Sequence, residues 1–263
     1  MQNRFQHLFD KKSENILNVY FTAGYPNLDS TKELLHNLEV AGADIVEIGM
    51  PYSDPLADGP TLQKSSAVAL ENGMSITVLF EQLQDIRSET QLPIVLMGYL
   101  NPVLQYGLEA FLKHCANLQI DGLILPDMPL SIYQSDYAVL FNKYQIKPIF
   151  LITPSTSEAR IRAIDTLSEA FIYVVSTANT TGSDQLFTDA TIQYFKRIKN
   201  MQLQTPCLIG FGVSRHDHFK ETCKYASGAI IGSAFIRHVQ SKGISSSSIQ
   251  SFIGSIKGSY VLQ

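Results

Sequence analysis

The sequence contains no tryptophan and only three cysteines among its 263 residues. Cys115, Cys207 and Cys223 lie far apart, and none belongs to a Cys-x-x-Cys pair. A disulfide framework is therefore disfavoured. We expect reduced, mostly buried thiols in a cytoplasmic protein, because free cysteine is among the most buried residue types.

Charge and long apolar runs are also scarce. Only 17% of the residues are charged and the net charge is −4, so the chain lacks the basic field that attracts nucleic acid or an anionic membrane. No apolar run approaches the roughly 20 residues that span a bilayer. Residues 1–15 lack the apolar centre of a secretory signal. We expect a cytoplasmic globular protein with neither nucleic-acid nor membrane partners.

What the chain does contain is a regular alternation of short apolar runs and amphipathic stretches. The apolar runs predict strands at 16–24, 43–49, 93–99, 121–126, 147–153, 170–176, 205–212 and 228–233. The amphipathic stretches predict helices near 28–41, 61–71, 75–89, 108–118, 132–145, 157–167, 188–201 and 215–226. Strands that are apolar throughout are typical of a parallel sheet covered by helices on both faces. The pattern predicts an α/β protein, a single-domain (β/α)8 TIM barrel over residues 1–263, with a short N-terminal helix before the first strand.

A doubly wound open sheet is the alternative fold. It would need a glycine-rich turn after the first strand, but that turn reads TAGYP (22–26) and lacks the Gly-x-Gly-x-x-Gly pattern. No Pro/Ser-rich linker divides the chain into two domains. The segment SSSSIQ (245–250) is expected to begin the last helix, because serine is a good N-cap residue.

Two carboxylates mark the end of the second predicted strand and its loop, VEIGMPYSDPLADGPTLQ (46–63). In a barrel of this kind the active site lies at the carboxyl ends of the strands, so Glu47 and Asp58 should share it. Burial would raise one pKa toward neutrality while the more solvated partner stays ionised, which suits general acid–base catalysis. The alternative is that Glu47 pairs with a cation and that Asp54 and Asp58 only shape a turn.

Glycines follow the last two predicted strands, in GFGVS (210–214) and GAIIGSAF (228–235). Backbone N–H groups at a helix N-terminus bind anions, and these two loops are where many barrels hold phosphate. The loop STANTTGSDQ (176–185) is a candidate lid, or else a plain surface loop. No metal-binding constellation is recognised, and His216 and His218 are expected at the surface.

The segment VEIGMPYSDPLADGP resembles the strand-2 signature of the tryptophan synthase alpha chain family. Further matching motifs follow in the same order along nearly the whole chain: YFTAGYP (20–26), LMGYLNP (96–102), DGLILPDMP (121–129), YVVSTANTTG (173–182), GFGVS and IIGSAF (230–235). The resemblance implies a (β/α)8 barrel that cleaves indole-3-glycerol phosphate to indole and glyceraldehyde 3-phosphate without a cofactor. It also implies a beta chain partner that carries pyridoxal phosphate and receives the indole in an α2β2 complex.

The resemblance also assigns residues. Glu47 matches the general acid/base, and Asp58 the carboxylate that accepts the ring N–H. The substrate-binding positions are Tyr20 and Tyr173 at the indole, Gly182, Gly212, Gly232 and Ser233 at the phosphate with Phe211 beside it, and Thr181 in the lid. The positions that face the beta chain are Pro51, Asp54 and Asn101.

The chain departs from the family pattern at Thr177, where many members have Arg, at Asn179, where many have Gly, and at Tyr20, where Phe is common. The first two changes bear on closure of the lid. Two rival functions remain. One is a catalytically silent subunit that only activates a beta chain, and the other is a different phosphate-binding barrel enzyme, an isomerase or synthase of the same pathway. The latter enzymes typically use a Lys or a Cys/Asp pair, whereas the second strand here offers only Glu47.

Overall fold

The computed structural model describes residues 3–176, 187–210 and 212–258. Its centre is one parallel sheet with the strand order β5-β4-β3-β2-β1-β9-β8-β7-β6. The strands are β1 Ile16–Thr22, β2 Ile45–Gly49, β3 Ile94–Met97, β4 Gly122–Ile124, β5 Lys147–Ile149, β6 Leu151–Ile152, β7 Ile172–Val175, β8 Cys207–Gly210 and β9 Gly228–Ile231. Each predicted strand is confirmed, and the predicted run 147–153 corresponds to two short strands.

The sheet closes into a barrel through this divided strand. Only Phe150 separates β5 from β6. The first half pairs with β4 and the second half pairs with β7, while β1 pairs with both β2 and β9. Strands β5 and β6 therefore act as one member of an eight-part ring. The predicted (β/α)8 barrel is confirmed, and the open doubly wound sheet is excluded.

Helices surround the ring of strands, and the first of them packs at the amino ends of the strands, where Phe5 lies among the interior side chains. The helices are α1 Arg4–Lys11, α2 Ser30–Ala41, α3 Pro60–Glu71, α4 Ile76–Gln82, α5 Leu100–Tyr106, α6 Leu108–Asn117, α7 Leu130–Ile132, α8 Ala138–Tyr144, α9 Glu158–Leu167, α10 Asp189–Asn200, α11 His216–Cys223, α12 Ser233–Lys242 and α13 Ser246–Lys257. A π-helical segment, Tyr133–Tyr137, joins α7 to α8. Ser245 caps α13 by accepting a hydrogen bond from the Ser248 N–H, as the serine run predicts.

Two differences from the predicted helices have local causes. The predicted helix 75–89 is divided, because Asp85 adopts a left-handed conformation with φ 59° before a short 3₁₀ turn at Ile86–Ser88. The helix α5 was not predicted, and its Pro102 conceals it in the sequence. Proline is tolerated there because the first-turn N–H groups of a helix have no partner within it.

The strands separate two apolar layers. Side chains from one face of the strands fill the barrel interior, among them Ile16, Ile45, Val95, Leu208 and Ile230. Side chains from the other face pack under the helices. Because successive strand residues point to opposite faces, a polar residue on the interior face must find its partner inside the barrel. No helix in the described ranges has the length and hydropathy of a bilayer-spanning segment.

Candidate active site

Glu47 lies on β2 with its side chain in the barrel interior, and only 1% of the residue is exposed. Asn18 on β1 donates a hydrogen bond from Nδ2 to Glu47 Oε2 at 3.0 Å. Within the described part of the chain no Lys or Arg forms an ion pair with Glu47, so the structural alternative of a cationic partner gains no support. Burial raises the pKa of Glu47 to about 8, against the lowering effect of the Asn18 hydrogen bond. Glu47 therefore carries a proton at neutral pH.

Asp58 lies in the loop between β2 and α3, and its side chain is half-buried. Burial raises the pKa of Asp58 to about 6, while a hydrogen bond with the Tyr99 side chain lowers it. The same Tyr99 hydroxyl accepts a hydrogen bond from the Ala57 N–H at 2.9 Å. The two carboxyl groups thus have separated pKa values. At neutral pH one is a proton donor and the other is an anion, which is the pairing that acid–base chemistry requires.

Both carboxyl groups line one cavity of about 120 Å³ at the carboxyl ends of the strands. The remaining lining residues are Tyr20, Leu62, Met97, Tyr173, Gly212, Val213, Ser214, Ile230, Gly232, Ser233, Ala234 and Arg237. The predicted substrate-binding residues Tyr20, Tyr173, Gly212, Gly232 and Ser233 are all among them. The structure brings together every predicted catalytic and substrate-binding residue that it describes.

The two tyrosine rings of the cavity depend on neighbouring glycines. A Cβ on Gly49 would lie 2.5 Å from Cζ of Tyr20, and a Cβ on Gly210 would lie 2.5 Å from Cζ of Tyr173. Both hydroxyls remain protonated, because burial raises the pKa of each tyrosine far above its usual value. The rings therefore form neutral walls beside Glu47, suited to a flat aromatic group.

The end of the cavity at Gly212 and Gly232 has features that suit an anion. Gly232 precedes α12, whose first residue is Ser233, and Gly212 follows β8 with φ +82°. Free N–H groups at a helix N-terminus attract negative charge. Arg237 is one turn further along α12 and lies 3.4 Å from Thr61 Oγ1 through its Nη1. Among the lining residues that the structure describes, Arg237 alone carries a positive charge.

His218 packs against the loop that forms the anion end of the cavity. The sequence predicts His218 at the surface, but only 14% of its side chain is exposed. Its Nδ1 lies 3.3 Å from Ser214 Oγ. His218 therefore packs against the loop after β8, and the expectation that it is a surface residue is wrong.

Three predicted substrate-binding residues, Thr181, Gly182 and Phe211, lie outside the described residues, as do Thr177 and Asn179. Ser176, the last described residue before this gap, donates a hydrogen bond to the Gly210 carbonyl at 2.8 Å. Ser176 therefore lies next to the end of β8.

The residues predicted to face a partner lie outside the cavity. Asp54 and Asn101 are exposed, and Pro51 is half-exposed. Asn101 Nδ2 is 3.4 Å from the Tyr52 hydroxyl, so the loop after β2 and the start of α5 lie side by side. Leu56 in the same loop is 92% exposed.

Other parts of the molecule offer less chemistry. No group of three or more His, Cys, Asp or Glu residues in the described ranges is arranged to hold a metal ion. A larger groove, of about 390 Å³, is lined by residues such as Pro206, Cys207 and Ser227. These residues lie at the amino ends of β8 and β9, opposite the face where barrels of this kind carry their active sites.

The structure adds residues that were not predicted from the sequence, namely Asn18, Tyr99 and Arg237. Asn18 had a signal, since it is a polar residue inside the apolar run ILNVYFT. Tyr99 and Arg237 had none, because each reaches the site from a strand end or helix distant in sequence from Glu47 and Asp58.

The whole chain is also similar to known proteins. A sequence model of the tryptophan synthase alpha chain family matches residues 5–254. The tryptophan synthase alpha chain of Flavobacterium johnsoniae is 51% identical over 247 residues, which cover 94% of this chain and 97% of that relative. That of Parabacteroides distasonis is 47% identical over 255 residues, which cover 97% of this chain and 99% of the relative. The crystal structure of tryptophan synthase subunit alpha from Legionella pneumophila str. Paris matches with a TM-score of 0.87 at 28% identity, over 98% of both chains.

Proposed function

Because this chain belongs to the tryptophan synthase alpha chain family, its activity is the cleavage of indole-3-glycerol phosphate, and we propose that Glu47 and Asp58 carry out the chemistry. The products are indole and glyceraldehyde 3-phosphate. The observation that supports these roles is the presence of two carboxyl groups with separated pKa values, about 8 and about 6, in one cavity.

The cleavage is a retro-aldol reaction, and its protons balance on Glu47. Protonated Glu47 gives its proton to the indole ring carbon that bears the side chain. The resulting carboxylate then accepts the proton of the substrate's glycerol hydroxyl, which lies on the carbon next to the ring. As the carbon–carbon bond breaks, its electron pair returns to the ring, the hydroxyl carbon becomes the aldehyde, and Glu47 regains its proton.

Asp58 stabilises the intermediate. Protonation of the ring carbon places positive charge on the ring nitrogen, and an ionised carboxylate that accepts the ring N–H lowers the energy of that charge. Tyr99 holds the Asp58 side chain by a hydrogen bond that favours its ionised form.

The rest of the cavity binds the two ends of the substrate. Tyr20 and Tyr173 hold the indole ring between them. The phosphate binds at Gly212, Gly232 and Ser233, with Arg237 supplying positive charge nearby. Residues Thr181, Gly182 and Phe211, which the family pattern assigns to the lid and the phosphate site, complete the set.

The family works with a beta chain, and we assign an α2β2 heterotetramer with the partner face at Pro51, Asp54 and Asn101. The exposed Leu56 beside them is suited to burial in such an interface. Pyridoxal phosphate belongs to the beta chain, and this chain uses no cofactor of its own. A cytoplasmic location fits the free cysteines, since that compartment keeps thiols reduced. Residues 1–263 act as one domain.

The test is indole release from indole-3-glycerol phosphate by the purified chain, compared with Glu47→Gln and Asp58→Asn. Loss of a general acid or of the charge it works with should lower the rate by about 100-fold or more. Glu81→Gln, an exposed change on α4, is the matched control for loss of a carboxylate and should keep the wild-type rate. Full activity in the folded Glu47→Gln variant would refute the catalytic role. Absence of release by the wild-type chain, with or without a beta chain, would favour a silent activating subunit.

A further inference from the structure

Asn18 is a polar residue in an apolar layer. It is fully buried on β1, where its register partners are Ile45 on β2 and Ile230 on β9. Both partners belong to the interior apolar cluster. A leucine at this position would fill the barrel without placing an amide away from water, so packing alone does not explain the asparagine.

The amide of Asn18 is only half satisfied. Its Nδ2 donates to Glu47 Oε2 at 3.0 Å, whereas the buried Oδ1 finds no hydrogen-bond partner among the residues that the structure describes. A buried carbonyl without a donor is costly and uncommon in folded proteins. The orphaned atom lies on the same planar amide group that contacts Glu47, which points to a use for it at that carboxyl group.

The two protonation states of Glu47 differ in the partners they need, because only the protonated state has a hydrogen to donate. An ionised carboxylate only accepts hydrogen bonds, so it needs the Nδ2 donor. A protonated carboxyl group has an O–H to donate, so it needs an acceptor. Half a turn of the Asn18 amide about its Cβ–Cγ bond exchanges Nδ2 for Oδ1, and Asn18 can then accept the proton of Glu47 at the same place.

We propose that Asn18 is a positioning residue for Glu47 that holds the carboxyl group in both protonation states by turning its amide as the proton leaves and returns. The proposal rests on the role of Glu47 given above. In the described part of the chain, the side-chain hydrogen bond to Glu47 comes from Asn18. The other groups that face Glu47 are Asp58, Tyr20 and Tyr173. Asp58 repels the ionised carboxylate, and the two tyrosines stay neutral.

The first arm of the test is kinetic. Asn18→Leu and Asn18→Val remove the amide and leave apolar side chains of different volume. We expect both variants to lower kcat for indole release by about 10-fold or more, because the carboxyl group of Glu47 loses its orientation. KM should stay unchanged, because the substrate keeps its binding contacts. An effect that follows side-chain volume would differ between the two variants. The use of two variants also guards against one of them failing to fold.

The control for kinetics is Thr22→Val, a second buried polar-to-apolar change on β1. Thr22 Oγ1 contacts Ser65 Oγ at 2.7 Å and the Tyr20 hydroxyl at 3.4 Å, whereas the side-chain hydrogen bond to Glu47 comes from Asn18. Its kcat should stay closer to the wild-type value than that of either Asn18 variant.

The second arm of the test is spectroscopic and detects the contact between Asn18 and Glu47 independently of enzyme activity. Infrared spectra should show the carbonyl stretch of protonated Glu47, identified by its disappearance in Glu47→Gln. In Asn18→Leu and Asn18→Val that band should move to higher frequency, because the carboxyl O–H loses its acceptor.

The outcomes separate this inference from the proposed function. A wild-type kcat or an unmoved band in the folded Asn18 variants, while Glu47→Gln is inactive, would overturn the role of Asn18 and leave Glu47 in place. An active Glu47→Gln variant would instead remove the catalytic role of Glu47, and the inference about Asn18 with it.

Discussion

The Tyr99 hydroxyl connects the backbone and the side chain of the catalytic loop. It accepts the Ala57 N–H at 2.9 Å and hydrogen-bonds with the side chain of Asp58. Tyr99 is 8% exposed, so this connection is held in a nearly dry environment. A residue from the end of β3 thereby fixes the charge state of a carboxylate carried by the loop after β2.

Tyr99→Phe should make the enzyme more sensitive to acid. The pKa of Asp58 is about 6, and the Tyr99 hydrogen bond lowers it, so removal of the hydroxyl raises it. In the proposed mechanism Asp58 acts in its ionised form, so activity should fall as pH drops through this pKa. The acidic limb of kcat/KM should therefore move upward, by roughly one pH unit for the loss of a hydrogen bond to a charged group. The measurement is the pH profile of indole release.

Tyr52→Phe is the matched control for this experiment. The Tyr52 ring packs against Tyr99 at a centroid distance of 5.3 Å, and its hydroxyl contacts Asn101 rather than Asp58. Its acidic limb should coincide with that of the wild type. If Tyr99→Phe also leaves the limb in place, the hydrogen bond does not control the ionisation of Asp58.

At this scale the sequence predicted the two carboxylates that we propose for the reaction, but not the residues that contact them. Glu47 and Asp58 stand out because a carboxylate within an apolar strand and an acid in the following loop are visible in one short segment. Tyr99 and Asn18 act across strands. Their contacts depend on the register of β1, β2 and β3, which no local pattern specifies.

At the scale of single elements, the carboxyl end of β2 is shaped by the ring on its neighbour. Tyr20 pairs in register with Glu47, and its ring covers Gly49 so closely that a Cβ there would lie 2.5 Å from Cζ. Gly49→Ala should therefore destabilise the protein by about 1–3 kcal/mol, the usual range for overpacking a core. It should also raise KM, because the displaced ring enters the substrate cavity. Urea unfolding and steady-state kinetics measure the two effects.

A double-mutant cycle isolates the cause. In a Tyr20→Ala background the ring is absent, so Gly49→Ala should cost much less free energy of unfolding than in the wild type. An equal cost in both backgrounds would show that the backbone of Gly49, rather than its contact with Tyr20, requires glycine.

The same scale shows where prediction of elements succeeds. Apolar runs bounded by turn residues predicted the strands correctly, because a short run that is apolar throughout is typical of a strand buried on both faces. Helix ends were harder. Asp85 breaks a periodic stretch by adopting φ 59°, and no residue nearby signals this. The helix α5 was not predicted, and its Pro102 lies in the first turn, where a helix accepts proline.

For the whole molecule, the alternation of elements predicted the barrel and a helix before the first strand, but the contacts of that helix could not be foreseen. α1 covers the barrel at the amino ends of the strands. Phe5 enters the interior cluster and meets Phe171 edge-on at a centroid distance of 6.0 Å. Arg4 reaches Asp121, which is 117 positions away in sequence. Such contacts follow from closure of the barrel, which is a property of all the strands together.

Asp121 connects α1 to the amino ends of the strands. It lies at the amino end of β4, 8% exposed, and accepts hydrogen bonds from Arg4 Nη1 at 3.0 Å, from Arg87 Nη2 at 2.6 Å and from the Ile94 N–H at 2.8 Å. Asp121→Asn removes the charge between two arginines whose side chains are 11% and 10% exposed. Breaking a buried ion pair on one side typically costs about 3–5 kcal/mol, and we expect a loss of that size in urea unfolding.

The comparison variant is Asp217→Asn. Its ion pair with Arg215 at 2.9 Å has both side chains about two-thirds exposed, at 66% and 65%. Solvent screens such a pair, so the expected loss of stability is much smaller than for Asp121→Asn. The folded Asp121→Asn protein should keep the wild-type kcat, because Asp121 lies at the amino ends of the strands and the reaction takes place at their carboxyl ends. A loss of kcat without a loss of stability would mean that the packing of α1 at the amino ends of the strands affects the cavity at their carboxyl ends. The two ends of the barrel would then be coupled rather than independent.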